Sequence, residues 1–100
     1  MDYIAEALHA LGKHVFPNAN ISIDMPHRVR ESIVVVIKPN DNNLPKQITL
    51  KSRLWHNGHN ELSLIDIIFD DVVVASPGLL FLHTGEALEA FSRARELALK

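Results

Sequence analysis

The sequence predicts an α+β fold: a two-layer sandwich in which an antiparallel sheet of four to six strands carries N- and C-terminal helices on one face. Three observations predict it. Apolar residues recur at three- and four-residue spacing at the two ends of the chain. Between the ends, stretches either alternate in steps of two or run unbroken in β-branched residues. Helices gathered at the termini of a run of strands stack on one side of the sheet those strands make. One hundred residues is the length of a single domain, 1–100, with one core.

The first element is a helix. Ile4, Leu8, Leu11 and Val15 fall on one stripe, with Ala7 beside them. Asp2 suits the N-cap or the first turn, and Pro17-Asn18 ends the element. "NISIDMP" then alternates, with Ile21, Ile23 and Met25 facing one way and Ser22 and Asp24 the other. "PHRVRES" is a polar connection. In "SIVVVIKP" five β-branched residues, Ile33 to Ile37, follow without a polar break, which predicts a central strand buried on both faces. A sheet covered by helices on one side then needs cover on the other, and a second copy of the chain is the simplest one.

After the loop "NDNNLP", "QITLKSRLW" alternates with Ile48, Leu50 and Leu54 on one face and Thr49, Lys51, Arg53 and Trp55 on the other. Asn57-Gly58 is a strong hairpin signal, because a tight two-residue turn needs positive φ at both positions. In "ELSLIDIIFDDVVVAS", Leu62 and Leu64 share one parity and Ile65, Ile67 and Phe69 the other. That slip near Leu64-Ile65 predicts a bulge or bend. "FDD" reads as a turn, "VVVAS" as a further strand, Pro77-Gly78 as a turn and "LLFLH" as a short strand. The last element is a helix opening at Thr84, with Glu86 in its first turn. Its apolar stripe runs through Leu88, Phe91, Ala94 or Arg95, and Leu97 or Ala98. Glu89 and Arg93 stand four apart, a supporting pair.

Composition narrows the function classes. At 47% hydrophobic and 22% charged the chain is a folding one. A net charge of −2 argues against a dedicated nucleic-acid binder, whose phosphate contacts need a basic excess. The absence of cysteine removes disulfides, thiol nucleophiles and thiolate metal sites. "MDYIAEALHALGKHVF" carries acids early and is broken by His9, Gly12, Lys13 and His14, so it does not read as a secretory signal, and no stretch has the length of a membrane span. A cytoplasmic protein with no membrane partner is expected.

Two sets of residues are candidates for a site. With a two-residue loop at Asn57-Gly58, His56 and His59 face each other across a hairpin and could share a metal ion, with a third ligand from Glu61, Asp66, Asp70 or His83. That register pairs Leu50 with Ile65 and Leu54 with Glu61. A three-residue loop pairs Leu54 with Leu62, sets His56 against Asn60 and separates the histidines. The second set is Lys51, Arg53, Trp55 and His56, cations beside the only tryptophan on the polar side of a strand. Trp and Arg dominate protein–protein hot spots. They also stack on bases, but the charge balance favours a protein partner. His27, Arg28 and Arg30 form a smaller basic patch. No nucleophile–base pair or glycine-rich phosphate loop is present.

The "ES" before "IVVVIKP" and the "LHT" before the last helix resemble the BolA-like proteins. That family's Arg-His-Arg stretch is answered here only by "RLWH", and Asn57-Gly58 falls where that fold places a helix. The resemblance therefore implies nothing about the site. The expectation is a small non-enzymatic protein-binding module, of accessory, inhibitor or immunity type, without cofactor. It would act through a sheet face or edge, as a homodimer, with Lys51, Arg53, Trp55 and His56 as the binding surface. The alternative is a metal-binding regulator or metal-dependent enzyme using His56 and His59.

Overall fold

The computed structural model describes residues 2–24, 32–55, 61–77, 79–81 and 87–99. The order is α1 (Asp2–Val15), β1 (Asn20–Asp24), β2 (Ser32–Lys38), β3 (Ile48–Trp55), β4 (Glu61–Phe69), β5 (Val72–Ala75), β6 (Leu79–Phe81) and α2 (Leu88–Ala98). The sheet is antiparallel and its strands lie side by side in chain order, β1-β2-β3-β4-β5, with β6 also paired to β4. This is the two-layer α+β arrangement the sequence predicts.

The core lies between one sheet face and the two helices. Ile33, Val35 and Ile37 of β2, Ile48 and Leu50 of β3, and Leu64 and Ile67 of β4 supply the sheet side. Leu8, Val15 and Phe16 supply the first helical side, and Ala87, Ala90, Phe91 and Ala94 the second. Ile21 and Ile23 extend the layer into β1. Gly12 is what lets these parts meet closely. A Cβ there would stand 2.8 Å from Ile21 Cδ1 and 3.2 Å from Phe91 Cε1. The missing side chain thus lets α1 settle onto β1 and onto the Phe91 ring together.

Val34 and Val36 correct the reading of β2. Among its described side chains Ile33, Val35 and Ile37 are buried, while Val34 and Val36 are half-exposed. Their β-branched character fits any pleated surface, so it marks a strand without saying that both faces are covered. The expected bulge is present. Lys51 pairs with Asp66 but Ser52 pairs with Leu64, so Ile65 is the extra residue. The bulge resets the phase and keeps Leu64 and Ile67 on the core side, although both parities are apolar in sequence.

Asp70-Asp71 is the β4–β5 turn. Asp70 has φ 54°, a left-handed conformation that Asp tolerates better than most residues. It also continues the β3–β4 ladder: its N–H donates to the Gln47 carbonyl at 2.9 Å, and its Oδ1 accepts the Gln47 N–H at 3.2 Å. Ser76-Pro77 does not reverse the chain. Residues 72–75 and 79–81 pair in the same direction with successive parts of β4, so β5 and β6 are one edge strand with an interruption. Proline is tolerated there because an edge position can do without its N–H. In α2, Ala87 occupies the N-cap without a side-chain cap, and Thr84 and Glu86 lie outside the described residues. The buried stripe is Ala87, Ala90, Phe91 and Ala94, which leaves Leu88 exposed.

Candidate functional site

The core side of the sheet lies under the helices, so the chemistry open to a partner is on the opposite side. Alternation along β3 places Thr49, Lys51, Arg53 and position 55 there, because Ile48 and Leu50 occupy the core side. Register builds the rest of this face in rows. One runs Ser22, Val36, Thr49, Ile68 and Val73; the next runs Asp24, Val34, Lys51 and Asp66; a third holds Ser32, Arg53 and Ser63. Half-buried aliphatics therefore sit among exposed cations. Both described helices pack on the other side.

Lys51 and Arg53 are exposed, as the sequence suggested. Trp55 is the last residue of β3 and pairs through its backbone with Glu61, while Leu54 pairs with Leu62. His56, Asn57, Gly58 and His59 lie outside the described residues. The Leu54–Leu62 pairing is the one expected of a three-residue loop and differs from the Leu54–Glu61 pairing that a two-residue loop requires. Beyond the Ile65 bulge the register moves by one, giving Leu50–Ile67 and Ile48–Phe69. Neither continuous register holds along the whole hairpin. His27, Arg28, Arg30 and His83 also lie outside the described residues.

Three of the described carboxylates, Asp66, Asp70 and Asp41, have local hydrogen-bond partners. Ser76 Oγ donates to Asp66 Oδ1 at 2.6 Å, tying the middle of β4 to the break in the edge strand. Asp70 is held by Gln47. Asp41 Oδ1 accepts the Asn43 N–H at 2.9 Å, a turn that shapes the loop after β2. Among the described residues no group of three His, Asp or Glu is placed to hold a metal ion, and no polar or charged residue is buried. No described helix is long and apolar enough to cross a membrane.

The sequence reading passed over the outer edge of the sheet. Val72, Val73 and Val74 are 64%, 53% and 41% exposed, three consecutive large apolar residues on β5. The available signal was position: "VVVAS" directly follows a tight acidic turn and precedes a proline, which suits an edge better than a centre. Clefts lie elsewhere on the described surface. One lies between the α1–β1 turn and the loop after β2, lined by Asn18, Asn40, Asn42, Asn43 and Arg95 among others. Neither a protein-family model, nor a curated protein, nor a solved structure matches the chain.

Proposed function

We propose that this chain is a small non-enzymatic protein-binding module, of accessory, inhibitor or immunity type, that binds its partner through the helix-free face of its sheet and self-associates as a homodimer. One observation carries the reading. The face opposite the helices mixes half-buried Val34, Val36 and Ile68 with exposed Lys51 and Arg53, and leads along β3 to the only tryptophan. Apolar contacts rimmed by cations, with an aromatic anchor, are the composition of protein-binding surfaces. Lys51, Arg53, Trp55 and His56 remain the proposed contact residues.

The test is differential capture from the source cell. The wild-type protein is compared with Lys51→Glu/Arg53→Glu and Trp55→Ala variants whose folding is verified by circular dichroism. A partner held by the wild type and lost by both variants supports the reading; equal capture by all three refutes the surface. Stoichiometric metal in protein purified without a histidine tag would replace the reading with one built on His56 and His59.

A further inference from the structure

We infer that the cleft between α1 and the β1 edge is an anion site that takes a phosphate monoester. The cleft has a volume of about 400 Å³ and brings together His9 and Lys13 of α1, Asn20 and Ser22 of β1, and Lys38 of β2. Lys51 and Arg53 stand in other rows of the sheet and take no part in it.

Local structure puts the cations there. His9 and Lys13 are four residues apart, so they neighbour each other on one side of α1. Asn20 pairs with Lys38, and Ser22 with Val36. Alternation gives Ile33, Val35 and Ile37 to the core, so Lys38 belongs to the helix-free side. Among the described strands β1 is an edge. The cleft runs round that edge, with cations from the helix layer on one side and from the open face on the other.

The fold itself leaves this charge unanswered. His9 and Lys38 are exposed, and neither has a hydrogen-bond or ion-pair partner among the described residues. Lys13 is half-buried, and its Nζ donates to the Ala19 carbonyl at 2.8 Å. That bond holds the ammonium in place and uses one of its three N–H donors. Among the described residues lining the cleft none is acidic, although the chain as a whole has a net charge of −2. Glu6 lies on α1 to the far side of His9 from Lys13. Like charges one helical turn apart repel, and a bound anion turns that repulsion into attraction.

Chemistry selects the anion. Lysine and histidine are point donors that approach from separate directions, unlike the flat arginine fork that matches a carboxylate. A tetrahedral phosphate has oxygens on several sides and accepts from each. The Asn20 amide and the Ser22 hydroxyl add neutral donors. The volume falls within the range of small-ligand sites, about 300–1,000 Å³, and is well above that of bare phosphate. Ile21 and Val36 supply apolar lining for an organic group, and no aromatic ring is present there to stack on a base. A non-nucleotide phosphate ester therefore fits. A small metabolite and a phosphorylated serine of another protein present the same dianion.

The test is a chemical-shift titration of isotope-labelled protein at constant ionic strength, with inorganic phosphate, glycerol phosphate and a short phosphoserine peptide as probes. The backbone amides of His9, Lys13, Asn20, Ser22 and Lys38 are expected to shift and saturate together. Lys38→Glu is expected to raise the dissociation constant about tenfold or more, because a charge-assisted contact becomes a repulsion. His9→Gln should weaken binding in the same direction. Lys46→Glu, outside the cleft, should leave it unchanged. His9 and Lys38 are exposed, so circular dichroism should not change in these variants. A gain by either ester over inorganic phosphate supports the site, and the tighter one identifies the source of the phosphate. Shifts scattered over exposed lysines without saturation would overturn it. So would equal binding by Lys38→Glu and wild type, or no gain by either ester.

Discussion

The two edges of the sheet are handled in opposite ways. β1 is short, exposes Asn20, Ser22 and Asp24, and has α1 packed along it. Lys13 Nζ donates to the Ala19 carbonyl at 2.8 Å, satisfying a backbone group just before the strand. β5 exposes three valines. Charge and cover are the usual means of keeping an edge from pairing. One edge has both. The other has a proline after it and a register shift within it, which limit the length of pairing without removing its apolar character. The contrast teaches that a sheet can be covered and polar on one flank and exposed and apolar on the other with no change of strand type.

Breaking the cover over β1 should have the largest effect. Phe91→Ala removes the ring that meets α1 beside Gly12 and should cost about 3–5 kcal/mol, read from urea unfolding. Gly12→Val acts on the same joint from the helix side. Its side chain collides with Ile21 and Phe91, so α1 must lift from β1 at a cost of about 1–3 kcal/mol. Both variants should also aggregate faster on heating, followed by light scattering, because β1 becomes a second open edge.

The turn leading into β5 should matter less. Asp70→Ala loses the acceptor for the Gln47 N–H and forces alanine into a left-handed conformation, for about 1–2 kcal/mol. Asp70→Gly loses only the acceptor and should cost less; equal losses would remove the conformational part of this account. Lys13→Met, which frees the Ala19 carbonyl, should cost about 1 kcal/mol in the same assay. Val73→Lys should change monomer stability by no more than about 0.5 kcal/mol, since the side chain is exposed. A large loss of stability there would show that the valines are internal supports and would erase the contrast between the edges.

The sequence made the architecture legible because periodicity survives without tertiary context. The terminal helices, the strand alternation in "NISID" and "QITLK", and the phase slip at Ile65 all report local geometry. What was not legible depends on neighbours. "IVVVI" and "VVVA" look alike in composition, yet the first is a central strand buried on one face and the second an exposed edge. Nothing within either run says how many strands flank it. Register was hidden for a related reason. Asn57-Gly58 is a strong local signal, but the pairing of Leu54 is shared with Leu62, and the bulge shifts the register again three residues away. The candidate cations Lys51 and Arg53 were legible because a polar side of a strand over an apolar one identifies itself.

Gly12 has a consequence for biosynthesis. The strands pair with neighbours in chain order, so the sheet can zip together as the chain emerges, with little loop closure at each step. α1 and β1 are made before the other described strands, but Phe91, which packs at the same joint, belongs to α2 and is made after all of them. A nascent chain stopped before Leu88 would hold the whole meander and lack the ring that completes the joint at Gly12. α1 is thus secured by α2, which is made after it, and a chaperone's protection would be most valuable in the interval between the two.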